Sequence, residues 1–275
     1  MLEIMTISKN AIEGYTAQLR TTAANIANLE VIGYKRLEVS FQSVFEKTLR
    51  QGTPASPITE LGGTNPIQLG AGMSIGSVGL DFTQGQLTDS SNPLASSIQG
   101  NGLFIVSPDG GETFRYTRNG DFEIRGNNIV TKIGGMQVYG LNDSGGLVPI
   151  TGVSGSDLSW TSGGRLAHFA VPWDESAGVT NTQYRIALTS FNNLSGLAQA
   201  SGTTFEETVS SGAAFEPTAS GGSYGTISAR NLERANVDLT SETIDSLAAQ
   251  QALNGNLSIL RAMNEEITNF INRLG

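Results

Sequence analysis

The stretch MTISKNAIEGYTAQLRTTAANIANLEVIG, residues 5–33, sets the architecture. Met5, Ser8, Ile12, Tyr15, Leu19, Thr22, Ile26 and Leu29 alternate steps of three and four, which is a heptad seam on a helix with Ser8 and Thr22 as polar interruptions. No proline and no glycine except Gly14 interrupts it, and Gly33 ends it as a stop or turn residue would. The far end of the chain repeats the pattern. Leu253, Leu257, Leu260, Asn264, Ile267, Ile271 and Leu274 step by four and three, with Met263 and Phe270 widening the stripe. Thr240 or Ser241 can cap the start, and Glu242 and Asp245 suit the positive end of a helix dipole, so the spacing predicts a helix over about 241–273, loosened near Gly255.

Working inward, the texture changes to short strands and turns. Leu103-Phe104-Ile105-Val106 is a compact apolar run, Asp109-Gly110-Gly111 a turn, and 113–118 an alternating segment. Asn119-Gly120 reads as a hairpin turn with positive φ leading to Phe122 and Ile124. Gly126-Asn127-Asn128 turns again, and Ile129-Val130 and 136–139 complete a meander. Further strands are expected at 165–171 and 184–191, and segments 52–66 and 195–226 read as loops. The fold class is therefore α+β. N- and C-terminal helices (1–32 and 240–275) pair as a coiled-coil-like domain, 33–80 is an extended connecting segment, and 81–239 is β-rich. The stripes have three ways to be covered: on each other, on the β domain, or on neighbouring copies.

Composition narrows the function. The 275 residues include 34 glycines but only 8 prolines, which fits many tight turns more than disorder. A formal net charge of −9 without a basic patch disfavours nucleic acid and anionic membranes as partners. Cysteine is absent, which removes disulfides, thiolate catalysis and cysteine-bound zinc. The first residues lack the basic and apolar regions of a cleaved signal peptide, and no apolar run is long enough to span a membrane.

No residue pattern in the chain supports catalysis. His168, the one histidine, falls in an expected strand without a second ligand. Asp109, Asp121 and Asp143 stand beside glycines as turn residues. Gly100-Asn101-Gly102 lacks the strand and helix of a dinucleotide loop. Arg115, Arg118 and Arg125 read as solvated faces, with inter-subunit ion pairs as the alternative. No catalytic residue, metal site or cofactor is assigned, and the protein is read as a non-enzyme.

Six short motifs then occur in order. They are Asn25-Ile26-Ala27-Asn28 with Gly33-Tyr34-Lys35-Arg36; Gly62 to Gly70; Phe82-Thr83-Gln84-Gly85; Ile98-Gln99-Gly100-Asn101-Gly102; Tyr116-Thr117-Arg118-Asn119-Gly120-Asp121-Phe122; and Leu232-Glu233-Arg234-Ala235-Asn236-Val237-Asp238-Leu239. Together they resemble the bacterial flagellar rod and hook proteins. Val31 departs from the threonine usual in that family, Leu103 replaces one aromatic, and Ala235 replaces a serine. The resemblance implies a structural axial subunit exported through the flagellar type III apparatus without signal cleavage. It implies a homopolymer, a hollow torque-transmitting tube with terminal helices inside and β domain outside, and neighbouring rod, hook and junction proteins as partners. Gly62-Gly63-Thr64-Asn65-Pro66 and Met136 to Gly140 look more like the hook protein, so a hook is favoured and a distal rod protein is the alternative. A secreted β-rich binding module is the rival outside the family. For packing in the tube the expected residues are Ile12, Leu19, Ile26, Leu257, Leu260, Ile267 and Ile271, and Asn25 and Asn28 are expected to cap or bridge backbone where the first helix turns outward.

Overall fold

The computed structural model describes residues 2–51, 65–153, 158–161, 163–169, 179–221 and 224–274. Two long helices bracket the molecule: α1 is Leu2–Ala27 and α2 is Leu239–Leu274. Neither contains proline, and α2 carries Glu242 in its first turn and Arg273 in its last, both favourable to the helix dipole. Gly255 does not break α2. Leu29, the last member of the expected N-terminal seam, lies beyond α1 in a turn.

The strands before residue 110 are β1 (Leu37–Arg50), β2 (Ile67–Leu80), β3 (Leu87–Asp89), β4 (Ser96–Gln99) and β5 (Leu103–Ser107). The next group is β6 (Arg115–Thr117), β7 (Phe122–Arg125), β8 (Asn128–Thr131), β9 (Gln137–Leu141), β10 (Leu147–Pro149), β11 (Leu158–Trp160) and β12 (Arg165–Phe169). Last come β13 (Val179–Ile186), β14 (Leu188–Thr189), β15 (Ala198–Gln199), β16 (Thr204–Glu206), β17 (Thr226–Ala229) and β18 (Asn231–Glu233). The fold is α+β, with a mainly β centre between terminal helices.

One compact unit comprises residues 1–25, 37–79 and 239–275. In it β1 and β2 pair as a two-stranded sheet. The extended segment 33–80 thus supplies, through β1 and β2, a packing surface for α1. Gly14 faces Met73 and Phe41, Gly72 runs against Ile7, and the Tyr15 and Phe41 rings lie 6.1 Å apart. The buried line on α1 runs through Ser8, Ala11, Thr22 and Asn25. It shares Ser8 and Thr22 with the heptad seam, but buries the smaller Ala11 and Asn25 in place of their neighbours Ile12 and Ile26. Small and polar groups let backbones approach closely, and the bulky members of the seam sit at the edges of the contact. On α2 the buried positions are Glu242, Ala249 and Met263.

The second unit comprises residues 26–36 and 80–238. Its main sheet is antiparallel in every pairing described, in the order β11-β12-β13-β9-β5-β6-β16-β15, with β10 and β8 branching from β9, β7 from β8, and β14 from β5. All five residues of β5 are buried, as its unbroken apolar run requires of a strand covered on both faces. Phe104, Phe122, Ile98, Leu158, Leu166 and Trp160 form the core, and the Trp160 indole N–H donates to the Leu94 carbonyl at 2.8 Å. The expected hairpin at Asn119-Gly120 does not form. β6 pairs with β5 and β16, whereas β7 pairs with β8, so the backbone passes from one set of pairings to another at this point. The expected loop 195–226 contains β15 and β16, and 52–64 lies outside the described residues.

Candidate functional site

Two returning strands build the site. β17 pairs with β4 and β18 with β3, so the end of the β region runs back along its beginning and Glu233 stands opposite Leu87. There Glu233 is fully buried between two cations. Its Oε1 accepts from the Lys35 ammonium at 2.7 Å and from the Gly85 backbone N–H at 2.9 Å. Its Oε2 accepts from Arg118 Nη1 at 3.2 Å. Lys35 also donates to the Thr83 carbonyl at 2.8 Å, and Arg118 Nη2 donates to the Gly100 carbonyl at 2.8 Å. Lys35 and Arg118 are only 1% and 2% exposed, so three charges lie out of water with one carboxylate facing two cations. Burial drives the Lys35 pKa below its ordinary value, and the Glu233 carboxylate opposes that pull. Burial lowers Arg118 in the same way, yet a guanidinium keeps its proton.

Around the charges, backbone groups are joined by single side chains. Asn236 accepts from the Arg36 N–H at 2.7 Å and donates to the Asp81 and Thr83 carbonyls at 2.8 and 3.1 Å. Arg36 in turn accepts from the Asp81 N–H at 2.8 Å. Gly33 donates to the Glu233 carbonyl at 2.8 Å with φ +71°, and a Cβ there would stand 2.5 Å from the Asn119 nitrogen. Tyr34, Ala235 and Val237 close the apolar side, with Leu29 and Val31 against them.

The central motif is buried from end to end. Tyr116 meets Phe191 edge-on at 4.7 Å, the Thr117 hydroxyl donates to the Thr203 carbonyl at 2.8 Å, and Phe122 lies edge-on to Phe104 at 5.3 Å. Gly120 has no positive φ. It is needed because the Ser96 carbonyl would lie 1.6 Å from any Cβ placed there, and the Gly120 carbonyl accepts from the Ser96 N–H at 3.0 Å. This close approach, and not a hairpin, is what Asn119-Gly120 serves.

Asn25 does a related task in the helical unit. Its carboxamide accepts from the Leu37 N–H and donates to the Leu37 carbonyl, both at 2.9 Å, and donates to Glu242 at 3.2 Å. It thereby joins the Leu37 backbone to both helices. Asn28 lies in the turn after α1, where its carbonyl accepts from the Val31 N–H at 3.0 Å. Asp238 precedes α2, and Leu239 opens it as an exposed residue. Among the other expected packing residues, Ile12, Leu19, Ile26, Leu257, Leu260 and Ile267 are half-buried, whereas Ile271 is exposed.

Arg118 corrects the sequence reading most plainly. It belongs to the interior and pairs within its own protomer, because Glu233 arrives beside it from 115 residues away. Arg115 pairs with Glu206 and Arg125 with Glu123. Glu233, Thr83 and Gly85 lie within the motifs, but nothing local marks them as partners of Lys35. Asp109 accepts from Thr113 and Ser107 as a turn residue does. Among the described residues no group of three or more His, Asp or Glu could hold a metal ion, and no helix is long and apolar enough to cross a membrane. The site is a clamp: it fixes segments that are far apart in sequence.

No family model matches the chain. Individual relatives do. It is 27% identical over 273 residues to the flagellar basal-body rod protein FlgG of Bacillus subtilis (strain 168), covering 99% of each chain. It is 30% identical over 257 residues to the FlgG of Caulobacter vibrioides, covering 92% of this chain and 93% of that one. The flagellar hook protein FlgE of Helicobacter mustelae is 34% identical, but over 143 residues, 51% of this chain and 31% of the hook protein. The preference for a hook is not confirmed, and the rod alternative is the better supported: the relatives matched over nearly the whole chain are rod proteins. Of the hook-like segments, 137–140 lies in β9 of the central sheet, and 62–64 falls outside the described residues. On its length-wide similarity to these proteins, the chain belongs to the flagellar rod and hook family.

Proposed function

We propose that the protein is a rod subunit of the flagellar basal body, a non-enzymatic building block that polymerises with copies of itself and transmits torque. The similarity to FlgG proteins over nearly the whole chain carries this reading. In the assembled state the terminal helices, about 1–32 and 240–275, line a hollow tube as a coiled-coil-like layer, and the β region 81–239 lies outside. Residues 33–80 run between these layers. The distal part of the rod is the assigned position, with neighbouring axial proteins as end partners. Export proceeds through the flagellar type III apparatus without signal cleavage.

The surface of α2 supports the polymer. Ile244, Leu247, Ile259, Phe270 and Ile271 are all more than 40% exposed, and residues 246–260 include no charged residue in a protein of net charge −9. A helix exposed on such a side is unusual in an isolated soluble protein and fits contact with an equally uncharged helix of another copy. The residues expected from spacing then divide. Ile12, Leu19, Ile26, Leu257, Leu260 and Ile267 are half-buried in the protomer and Ile271 is exposed, which leaves apolar surface on each for packing between copies in the tube.

Cryo-electron microscopy of hook–basal bodies purified from producing cells tests the position. Density for this protein in the rod is expected; density in the hook overturns the rod assignment, and its absence from both overturns the axial role. For polymerisation, removing residues 1–30 or 250–275 is expected to stop tube formation. Tubes formed by either truncated variant refute the role of the helices.

A further inference from the structure

The sequence contains three Asn-Gly pairs, 101–102, 119–120 and 254–255. We infer that Asn101, and neither of the other two, is a site of spontaneous deamidation and isoaspartate formation in the folded protein. The reaction needs only water. The Gly102 nitrogen attacks the carboxamide carbon of Asn101, forming a C–N bond and losing its proton to solvent base. The original C–N bond of the carboxamide breaks and ammonia leaves. Water then opens the resulting five-membered imide at either carbonyl, leaving aspartate or isoaspartate. Glycine as the second residue removes the steric barrier to ring closure, so the structure around each pair decides the rate.

At Asn101 no hydrogen bond among the described residues holds either reacting group, although Gly102 is itself buried. The residue is exposed in a bend, and its one hydrogen bond among the described residues uses the backbone carbonyl, which accepts from the Gly225 N–H at 2.7 Å. Neither the carboxamide nor the Gly102 N–H has a hydrogen-bond partner among the described residues. Asn119 is held instead. It is buried, and its side-chain oxygen accepts from the Asp121 N–H at 2.9 Å. Asn254 sits within α2, where the helical ladder directs the Gly255 N–H toward the carbonyl four residues earlier and away from the preceding side chain.

The position gives the modification a consequence. The Gly100 carbonyl accepts from Arg118, the Gly100 N–H donates to Gln84 at 3.0 Å, and the Asn101 carbonyl holds Gly225. Isoaspartate at 101 takes the carbonyl that holds Gly225 out of the main chain and routes the backbone through an extra carbon directly after Gly100, and so loosens the peptide that holds the buried guanidinium.

The test is to age the purified full-length protein in warm, mildly alkaline buffer and map its peptides with fragmentation that separates isoaspartate from aspartate. In the folded protein the Asn101 peptide is expected to convert while those of Asn119 and Asn254 persist. In urea all three are expected to convert. Conversion of Asn101 no faster than of the other two in the folded protein overturns the inference. Asn101→Gln, whose ring closure is disfavoured, is expected to keep its melting temperature through ageing while the unsubstituted protein loses some of its own. Equal losses in both overturn the link to the clamp.

Discussion

Replacing Glu233 by glutamine preserves its volume and removes its charge. The new carboxamide can still accept from Gly85 and Lys35 through its one oxygen, but its nitrogen would face Arg118 Nη1, donor against donor, at the site of a 3.2 Å ion pair. At an effective dielectric of about 20, the attractions lost are about 6 kcal/mol for Lys35 at 2.7 Å and about 5 kcal/mol for Arg118 at 3.2 Å. Lys35 can shed its proton, which at neutral pH limits its share to roughly 5 kcal/mol, whereas arginine cannot. Removing one partner from a buried pair costs about 3–5 kcal/mol in practice, a large part of a typical domain's stability. Lys35→Met removes the excess positive charge and leaves Glu233 paired with Arg118, so it should cost only about 2 kcal/mol for the two lost hydrogen bonds. Urea unfolding monitored through the buried Trp160, in a Trp173→Phe background, compares the two. The Glu233→Gln penalty should also shrink toward about pH 9. Burial already lowers the Lys35 pKa, and as pH rises toward the unfolded value the folded variant gives up less in leaving this lysine neutral. Equal costs for the two substitutions, or a Glu233→Gln cost below about 1 kcal/mol, would refute the argument that one carboxylate holds two buried cations.

Gly120→Ala must displace the Ser96 carbonyl, and Gly33→Ala must displace the Asn119 backbone, so each should lower stability by about 3 kcal/mol or more in calorimetry. Gly255→Ala meets nothing within 4 Å and should stabilise α2 by up to about 1 kcal/mol, read as increased helical circular dichroism on heating. Asn25→Ala leaves the Leu37 N–H and carbonyl without their side-chain partner and should cost about 2–3 kcal/mol, with faster hydrogen exchange at Leu37. Burial, and then the charge of Glu207, pushes the Tyr116 phenol up to about 12. The folded protein thus keeps a proton that the unfolded one releases from about pH 10, and stability present below that pH is lost as pH rises toward 12. Tyr116→Phe should make this alkaline loss shallower in pH-dependent melting curves. An unchanged slope would count against a buried phenol.

Much of the plan was legible because it is local. The step-three, step-four spacing of residues 5–26 and 253–274 marks helices whatever surrounds them, and the apolar run at 103–106 marks a buried strand. Turn chemistry placed Asp109-Gly110-Gly111 and Gly126-Asn127 correctly, since a tight bend depends on its own few residues. Asn119-Gly120 misled for the converse reason. The residue types of a hairpin were present, but the glycine was there for a carbonyl arriving from Ser96. Spacing likewise identified helix α1 and two of its buried residues, Ser8 and Thr22, but pointed to Ile12 and Ile26 where their neighbours Ala11 and Asn25 are the ones buried. Which face goes inward depends on the shape of the surface it meets, and β1 and β2 supplied that surface from a segment read as a connector.

By itself, then, the sequence determined the order of helices and strands, and, through six collinear motifs, the family. Only the tertiary structure decided why those motifs contain the residues they do. Lys35 and Glu233 are 198 positions apart, and Arg118 is 115 positions from Glu233. A charge read alone carries no sign that it will be buried. Its environment is created when β18 returns alongside β3 and brings a carboxylate to two cations, and no periodicity within either segment encodes that meeting.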